Sequence, residues 1–280
     1  MKIFTHKQPL NEYLGQLRAD GETIGFVPTM GALHQGHISL IALAQQHTSK
    51  VVCSIFVNPT QFNDPNDLEK YPRPIASDIE KLRVANCDIL FNPDVDEMYA
   101  GNEQWHLELG ELECLLEGKF RPGHYQGVTQ VVYKLFDIVK PDVAFFGQKD
   151  YQQFLVIQKM VTILSLKVKL VMCPILRETD GLAMSSRNIH LSGDERQHAL
   201  VLSKTLGWLQ QNYDRDKIAL LTQECQAMIN AEPGMQMEYF EIADGNELHP
   251  VNQNSKKIVA LVAAKVGKTR LIDNILLVNG

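Results

Sequence analysis

The chain has 280 residues, 45% of them hydrophobic and 21% charged, enough to bury a sizeable core and to divide into a larger and a smaller domain. A formal net charge of −6 excludes a broad nucleic-acid-binding face while leaving room for a local cationic pocket. Cys53, Cys87, Cys114, Cys173 and Cys225 form no CxxC pair, and the opening MKIFTHKQPL lacks the apolar core of a signal peptide. Apolar runs such as 258–264 are too short to span a bilayer. A cytoplasmic protein with reduced cysteines, no membrane segment and no nucleic-acid partner is expected.

In chain order, short apolar runs at 23–27, 51–57, 88–91, 143–146 and 168–172 predict buried strands. Amphipathic stretches at 38–46, 75–85, 128–139 and 151–165 predict the helices between them. Continuous apolar strands alternating with helices indicate a parallel sheet covered on both faces. With right-handed crossovers this is an α/β fold, a Rossmann-like doubly wound sheet.

After residue 174 the rhythm changes. Ser192 and Glu195 have the spacing of a capping box, which predicts a helix to about Tyr213, then a second to about Ala231. Candidate strands at 237–242, 257–263 and 269–276 lack intervening helices and predict a small antiparallel sheet. The expected domains are therefore 1–174, Rossmann-like, and 175–280, smaller and α+β.

The first segment with chemical content runs from Phe26 to His37. It leaves a buried strand, turns at Gly31 and enters a helix near Gly36. This puts a helix N-terminus at the carboxyl end of a parallel strand, where free amides and the helix dipole favour phosphate. Gly36 has no side chain to hold a phosphate off the backbone. His34 and His37 lie on one helical face and can both donate to a triphosphate; the alternative is a pair of surface histidines at a helix cap.

Further along, residues 57–62 offer Asn58 and Gln61 at the same sheet edge, neutral groups that suit a hydroxylated substrate or, alternatively, turn chemistry around Pro59. Arg121-Pro-Gly-His-Tyr-Gln-Gly127 is either a mobile wall of a site or a surface loop. Residues 145–153 again run from strand through glycine into helix, with Lys149 in reach of a phosphate. Asp150 there faces a ribose hydroxyl or caps the helix. Gln152 and Gln153 are adjacent and point apart, so only one serves a ligand. Asp180-Gly-Leu-Ala-Met-Ser-Ser-Arg-Asn188 supplies two hydroxyls and a guanidinium, in a flexible loop able to close over phosphates or in an ordinary polar loop. Gly267-Lys268-Thr269 imitates the end of a P-loop, but Val262 stands where an earlier glycine is required.

The segments PTMGALHQGH, FVNPTQF, YPR, RPGHYQGV, FGQKDYQQ and DGLAMSSRN together resemble, in order and spacing, those of the pantoate–β-alanine ligases. That family belongs to the HxGH nucleotidyltransferase superfamily, which includes the class I aminoacyl-tRNA synthetases. The resemblance covers essentially the whole chain. It implies that pantoate attacks the α-phosphate of Mg2+-bound ATP to give pantoyl adenylate and pyrophosphate. The β-alanine amine then attacks the acyl carbon and releases AMP, forming pantothenate for coenzyme A biosynthesis.

By position, the resemblance assigns Met30, Gly31, Ala32, Leu33, His34, Gln35, Gly36 and His37 to the ATP loop. Gly147, Gln148, Lys149, Asp150, Leu176 (through its backbone), Met184, Ser185, Ser186 and Arg187 complete the nucleotide set, the SSR loop standing where the synthetases carry KMSKS. His37, His34, Lys149 and Arg187 would carry the chemistry without any protein metal ligand. Gln61 and Gln153 would hold pantoate, with Gln61 also near β-alanine, and Asn58 and Arg121 are expected to complete the substrate-binding set. A homodimer is also implied. Two departures flank these positions, Gln148 for the family's usual Glu and Pro74 for its usual Thr. Asp78 is expected to be a solvated helix charge, the alternative being a group that orients the amine or a metal.

Three other functions fit these residues less well. Nucleotidyl transfer to a phosphate acceptor would need an acceptor set rich in Arg and Lys, whereas Asn58, Gln61 and Gln153 are neutral. A nucleotide-sensing module would not need both histidines with Lys149 and Arg187. A tRNA-linked role conflicts with the acidic balance.

Overall fold

The computed structural model describes residues 1–63, 65–99, 101 and 103–280. Its contacts fall into two compact units. One comprises Met1–Gly147 with Gln152–Cys173, the other Gln148–Tyr151 with Pro174–Gly280.

The first unit is built on a parallel sheet of β1 (Lys2–Phe4), β2 (Ile24–Thr29), β3 (Lys50–Ile55), β4 (Ile89–Phe91), β5 (Val143–Gly147) and β6 (Lys169–Cys173). The strand order is β1-β4-β3-β2-β5-β6. Its helices are α1 (Lys7–Ala19), α2 (Gln35–His47), α3 (Pro65–Lys70), α4 (Ile75–Val84), α5 (Val95–Met98), α6 (Leu116–Phe120), α7 (His124–Val139) and α8 (Tyr151–Ile163). The central strands are buried almost continuously, as a sheet covered on both faces requires. One core packs Ile41 and Ala44 of α2 and Leu82 of α4 onto Val27, Val51, Cys53, Leu90 and Phe145 of the sheet.

The direction of strand addition reverses at β2, which lies between β3 and β5. The carboxyl ends of β2 and β5 thus form the switch point at which doubly wound sheets bind ligands. Besides the short helices α3, α5 and α6, of four to six residues, two elements escaped the sequence pattern. β1 has only three residues, too few for a period, and is specified by pairing with β4 (Lys2↔Ile89). α1 buries Leu10, Leu14 and Leu17, a helical spacing interrupted to the eye by Pro9 and Gly15.

In the second unit, β7 (Met235–Asp244), β8 (Ile258–Val266) and β9 (Thr269–Val278) form an antiparallel sheet in that order. Its core packs Leu202, Leu206 and Leu209 of α9 (Gly193–Asn212) and Cys225 and Ile229 of α10 (Ile218–Asn230) against Phe240, Ala260 and Val262. Ser192 and Glu195 make the expected reciprocal cap on α9, at 3.2 and 2.8 Å. Gly267 and Lys268 are the two-residue turn joining β8 to β9, which disposes of the P-loop resemblance. Among the described residues, no helix is long and apolar enough to cross a membrane.

Candidate active site

β2 ends at Thr29, and the chain turns through Gly31 (φ +82°) and Ala32 (φ +50°) before α2 begins at Gln35. A left-handed residue reverses the chain sharply, and at Gly31 a Cβ would also press on Ile55 and the Asp78 carboxylate at 3.0 and 3.1 Å. The turn delivers His34 to the N-cap of α2.

The cap is built from the two histidines of the HxGH motif. The Gly36 N–H donates to His34 Nδ1 at 3.1 Å, and the His34 N–H donates to His37 Nδ1 at 3.2 Å. This is a capping box in which imidazoles replace the usual hydroxyl and carboxylate. An accepting Nδ1 carries no proton, so each neutral ring holds its N–H at Nε2. The ring centroids lie 4.1 Å apart. The expectations of a helix cap and of two phosphate donors are thus compatible: one edge of each ring satisfies the backbone and the other presents a donor.

Asp78 departs from expectation. It is 1% exposed, and its two oxygens accept the N–H groups of Ala32 and Leu33 at 2.8 Å each. The solvated charge read from the helical pattern is a buried anchor, because α4 presents its first turn to the loop after β2. Those two amides, assigned to the ATP loop by resemblance, are directed at Asp78. Pro74 occupies the N-cap of α4 without a side-chain cap bond, so this helix starts without a capping hydroxyl or carboxylate.

The turn after β3 gathers the neutral groups. Asn58 is 1% exposed and all its side-chain hydrogen-bonding capacity is engaged. Its Nδ2 donates to Gly127 O (3.1 Å) and Gln61 Oε1 (3.2 Å), while its Oδ1 accepts from Tyr99 Oη (2.7 Å) and Thr60 Oγ1 (3.2 Å). Burial raises the Tyr99 pKa above its usual value, so the hydroxyl keeps the proton it donates. Asn58 therefore orients Gln61. Gln61 is itself mostly buried and donates to Met30 Sδ at 2.9 Å, which brings the FVNPTQF and PTMGALHQGH segments together.

The RPGHY segment is a wall of this group. His124 Nδ1 donates to the Gln61 carbonyl at 2.8 Å. A Cβ on Gly127 would stand 2.3 Å from Thr60 O, so only glycine lets α7 approach so closely. Arg121 is half-exposed just before α7, at the C-cap of α6. Of the adjacent glutamines, Gln152 is buried and structural, bonding Glu117 N, Leu112 O and Leu115 O at 2.9–3.0 Å. Gln153 is half-exposed.

Apart from Gly147 at the end of β5, the remaining predicted residues lie in the second unit. Asn274 of β9 donates to the carbonyls of Gln148 and Lys149 at 2.9 Å each and accepts from Gln148 Nε2 at 3.1 Å. The departure to Gln148 thus supplies a donor that a glutamate would lack. Lys149 Nζ stands 3.7 Å from Asp150 Oδ1.

Leu176 O accepts from Met184 N at 3.0 Å, so the chain doubles back and carries Ser185–Arg187 beside Leu176. Ser185 Oγ accepts the Arg187 N–H at 3.2 Å. The loop is braced on both sides. Arg177 forms a bidentate pair with Asp273 at 2.7 and 3.0 Å, and Arg196 clasps Asp180 and Glu178 at 2.6–2.8 Å. Burial opposes ionisation of Asp180, but the Leu182 N–H and Arg196 outweigh it and hold the pKa below the usual value. The segment, read from the sequence as either a flexible or an ordinary polar loop, is stapled at its base.

Sequence reasoning missed Tyr99, Asn274 and the anchoring role of Asp78. Only Asp78 left a signal, an acid in the first turn of a predicted helix. Among the described residues, no group of three or more His, Cys, Asp or Glu side chains is arranged to hold a metal ion.

Comparison with known proteins agrees along the whole chain. A family model described as pantoate-beta-alanine ligase matches residues 2–276. A pantothenate synthetase of Porphyromonas gingivalis is 46% identical over 277 residues, covering 98% of this chain and 99% of that protein. One from Thermotoga petrophila is 45% identical over 282 residues, covering 99% and 100%. The crystal structure of pantothenate synthetase from Thermus thermophilus superposes with a TM-score of 0.93 at 38% identity, over 100% of both chains. That of a pantoate-beta-alanine ligase from Francisella tularensis, complexed with beta-gamma ATP and beta-alanine, gives 0.82 at 36%, over 100% and 99%.

Proposed function

The chain belongs to the pantoate–β-alanine ligase family, and from that premise we infer how its residues condense pantoate with β-alanine, converting ATP to AMP and pyrophosphate. The single observation that carries the reading is the imidazole capping box. It fixes two side-chain donors at the N-terminus of α2, at the carboxyl end of the strand where the sheet reverses.

In the first step the pantoate carboxylate attacks the α-phosphorus in line with the departing pyrophosphate. The P–O bond to pyrophosphate breaks as the acyl–O–P bond forms, so negative charge grows on the leaving group. We assign its stabilisation to His34, His37, Lys149 and Arg187, with Ser185 and Ser186 donating to the phosphates. Gly147 to Asp150, Leu176 and Met184 are assigned to the rest of the nucleotide, and Mg2+ to the phosphates, arriving as part of the substrate. Gln61, held by Asn58, and Gln153 are assigned to pantoate; neutral amides bind a hydroxy acid without neutralising the carboxylate that must attack. In the second step the β-alanine amine adds to the acyl carbon and AMP leaves with the bridging oxygen. No protein nucleophile is required, since positioning and electrostatics suffice for both displacements.

The same reading assigns 1–174 as the ATP- and pantoate-binding domain and 175–280 as a lid. It makes the protein a homodimer, as the family resemblance implies, working in the cytoplasm, as its scattered cysteines suggest.

The test is substrate omission. Protein incubated with Mg2+, ATP, pantoate and β-alanine is expected to form AMP and pyrophosphate. Without β-alanine, pyrophosphate release should stop near one equivalent per site; without pantoate it should be absent. Release independent of pantoate contradicts the assignment.

A further inference from the structure

We propose that Asp78 is a positioning residue for adenylation, holding the strained turn before the HxGH cap so that the two imidazoles face the nucleotide; this rests on the reading of His34 and His37 given above. A carboxylate that is 1% exposed is costly to bury unless its oxygens are fully used. Here they are: Oδ2 accepts the Ala32 N–H and Oδ1 the Leu33 N–H, at 2.8 Å each. Lys81, one turn further along α4, donates to the Leu33 carbonyl at 2.7 Å and stands 3.9 Å from Asp78 Oδ1. Two consecutive amides and the following carbonyl are thus pinned from one helix.

What is pinned does not hold its shape unaided. Gly31 (φ +82°) and Ala32 (φ +50°) are both left-handed, and Ala32 carries a Cβ that disfavours this conformation. Only Leu33 separates Ala32 from the N-cap His34, so a rotation of the turn swings the first imidazole and, through the His34 N–H bond to Nδ1, the second. A carboxylate near an anion-binding loop is electrostatically unwelcome, and its retention follows from geometry. The two oxygens of one planar group match two adjacent amides, and Lys81 offsets the charge.

Asp78→Asn keeps the shape but turns an amide NH2 toward one of the two backbone donors. The variant is expected to lose about tenfold to a hundredfold in kcat/KM for ATP, measured by pantoate-dependent pyrophosphate release, the scale of a small misplacement of reacting groups. The value of kcat/KM for β-alanine should stay within about twofold, because only the first displacement uses the imidazoles. Lys81→Met, whose ammonium group is half in solvent, is expected to fold and to shift the ATP parameters the same way by about threefold or more. Circular dichroism and thermal melting establish that each variant is folded. Unchanged ATP parameters in a folded variant overturn the proposal. So does a parallel loss in the ATP and β-alanine parameters, which marks general structural damage. If Asp78→Asn does not fold, Lys81→Met decides by the same criteria. Failure of the underlying reading shows separately, as absence of pantoate-dependent pyrophosphate release in the unsubstituted protein.

Discussion

At the scale of single residues, each ring of the HxGH motif has two tasks, one on each nitrogen. Nδ1 satisfies a backbone amide of the helix start and Nε2 carries the donor. The tasks are separable by substitution. Glutamine at the third helical position makes the conventional capping-box bond, so His37→Gln should keep the cap while removing the ring donor. Its melting temperature is expected to stay within a few degrees of the parent, because a cap is worth only about 1 kcal/mol. Turnover should fall by about 2–4 kcal/mol in barrier, as for loss of one donor to developing charge. Steady-state kinetics beside a thermal melt check this; full activity in the glutamine variant would place the catalytic donor elsewhere.

At the scale of elements, the strand–turn–helix units were readable because their signals are local. The 2- and 3.6-residue periods, the Ser192/Glu195 box and the glycines at turns each depend on a few neighbouring residues. What stayed hidden was non-local. β1 exists through its partner β4, and Asp78 is buried because α4 packs against a loop more than forty residues away. Asn58 and Gln61 were legible as a neutral pair, but their ranking was not. Only Tyr99, Gly127 and His124 show that one orients the other.

The loop from Asp180 to Asn188 is another such case: its composition left a flexible loop and an ordinary polar loop both open, and the clasp at Arg196 that braces it comes from α9. Because Asp180 has a depressed pKa in the folded protein, its stabilising contribution is fully present above the unfolded value of about 3.9 and is lost as pH falls through the lower folded value. The difference in unfolding midpoint between Asp180→Asn and the parent is therefore expected to be constant from about pH 5 to 7 and to shrink below about pH 4. Urea titrations at several pH values measure it; a difference that grows on acidification would contradict the clasp.

At the scale of the whole molecule, six short segments spread from Pro28 to Asn188 carry a pattern that none carries alone. Each is anchored where the sheet or the loop network requires it. The first unit fixes the imidazole cap, the Asn58–Gln61 pair and Gln153, and the second braces Lys149 and the Ser185–Arg187 turn. On the function proposed above, these residues serve an acyl adenylate, which fixes the bonds that form and break. Pantoate labelled with oxygen-18 in both carboxylate oxygens tests it directly by mass spectrometry of the products. One labelled oxygen should appear in AMP, carried over as the bridging atom, and the other should remain in the amide carbonyl of pantothenate. Unlabelled AMP, or label in pyrophosphate or inorganic phosphate, would contradict the account.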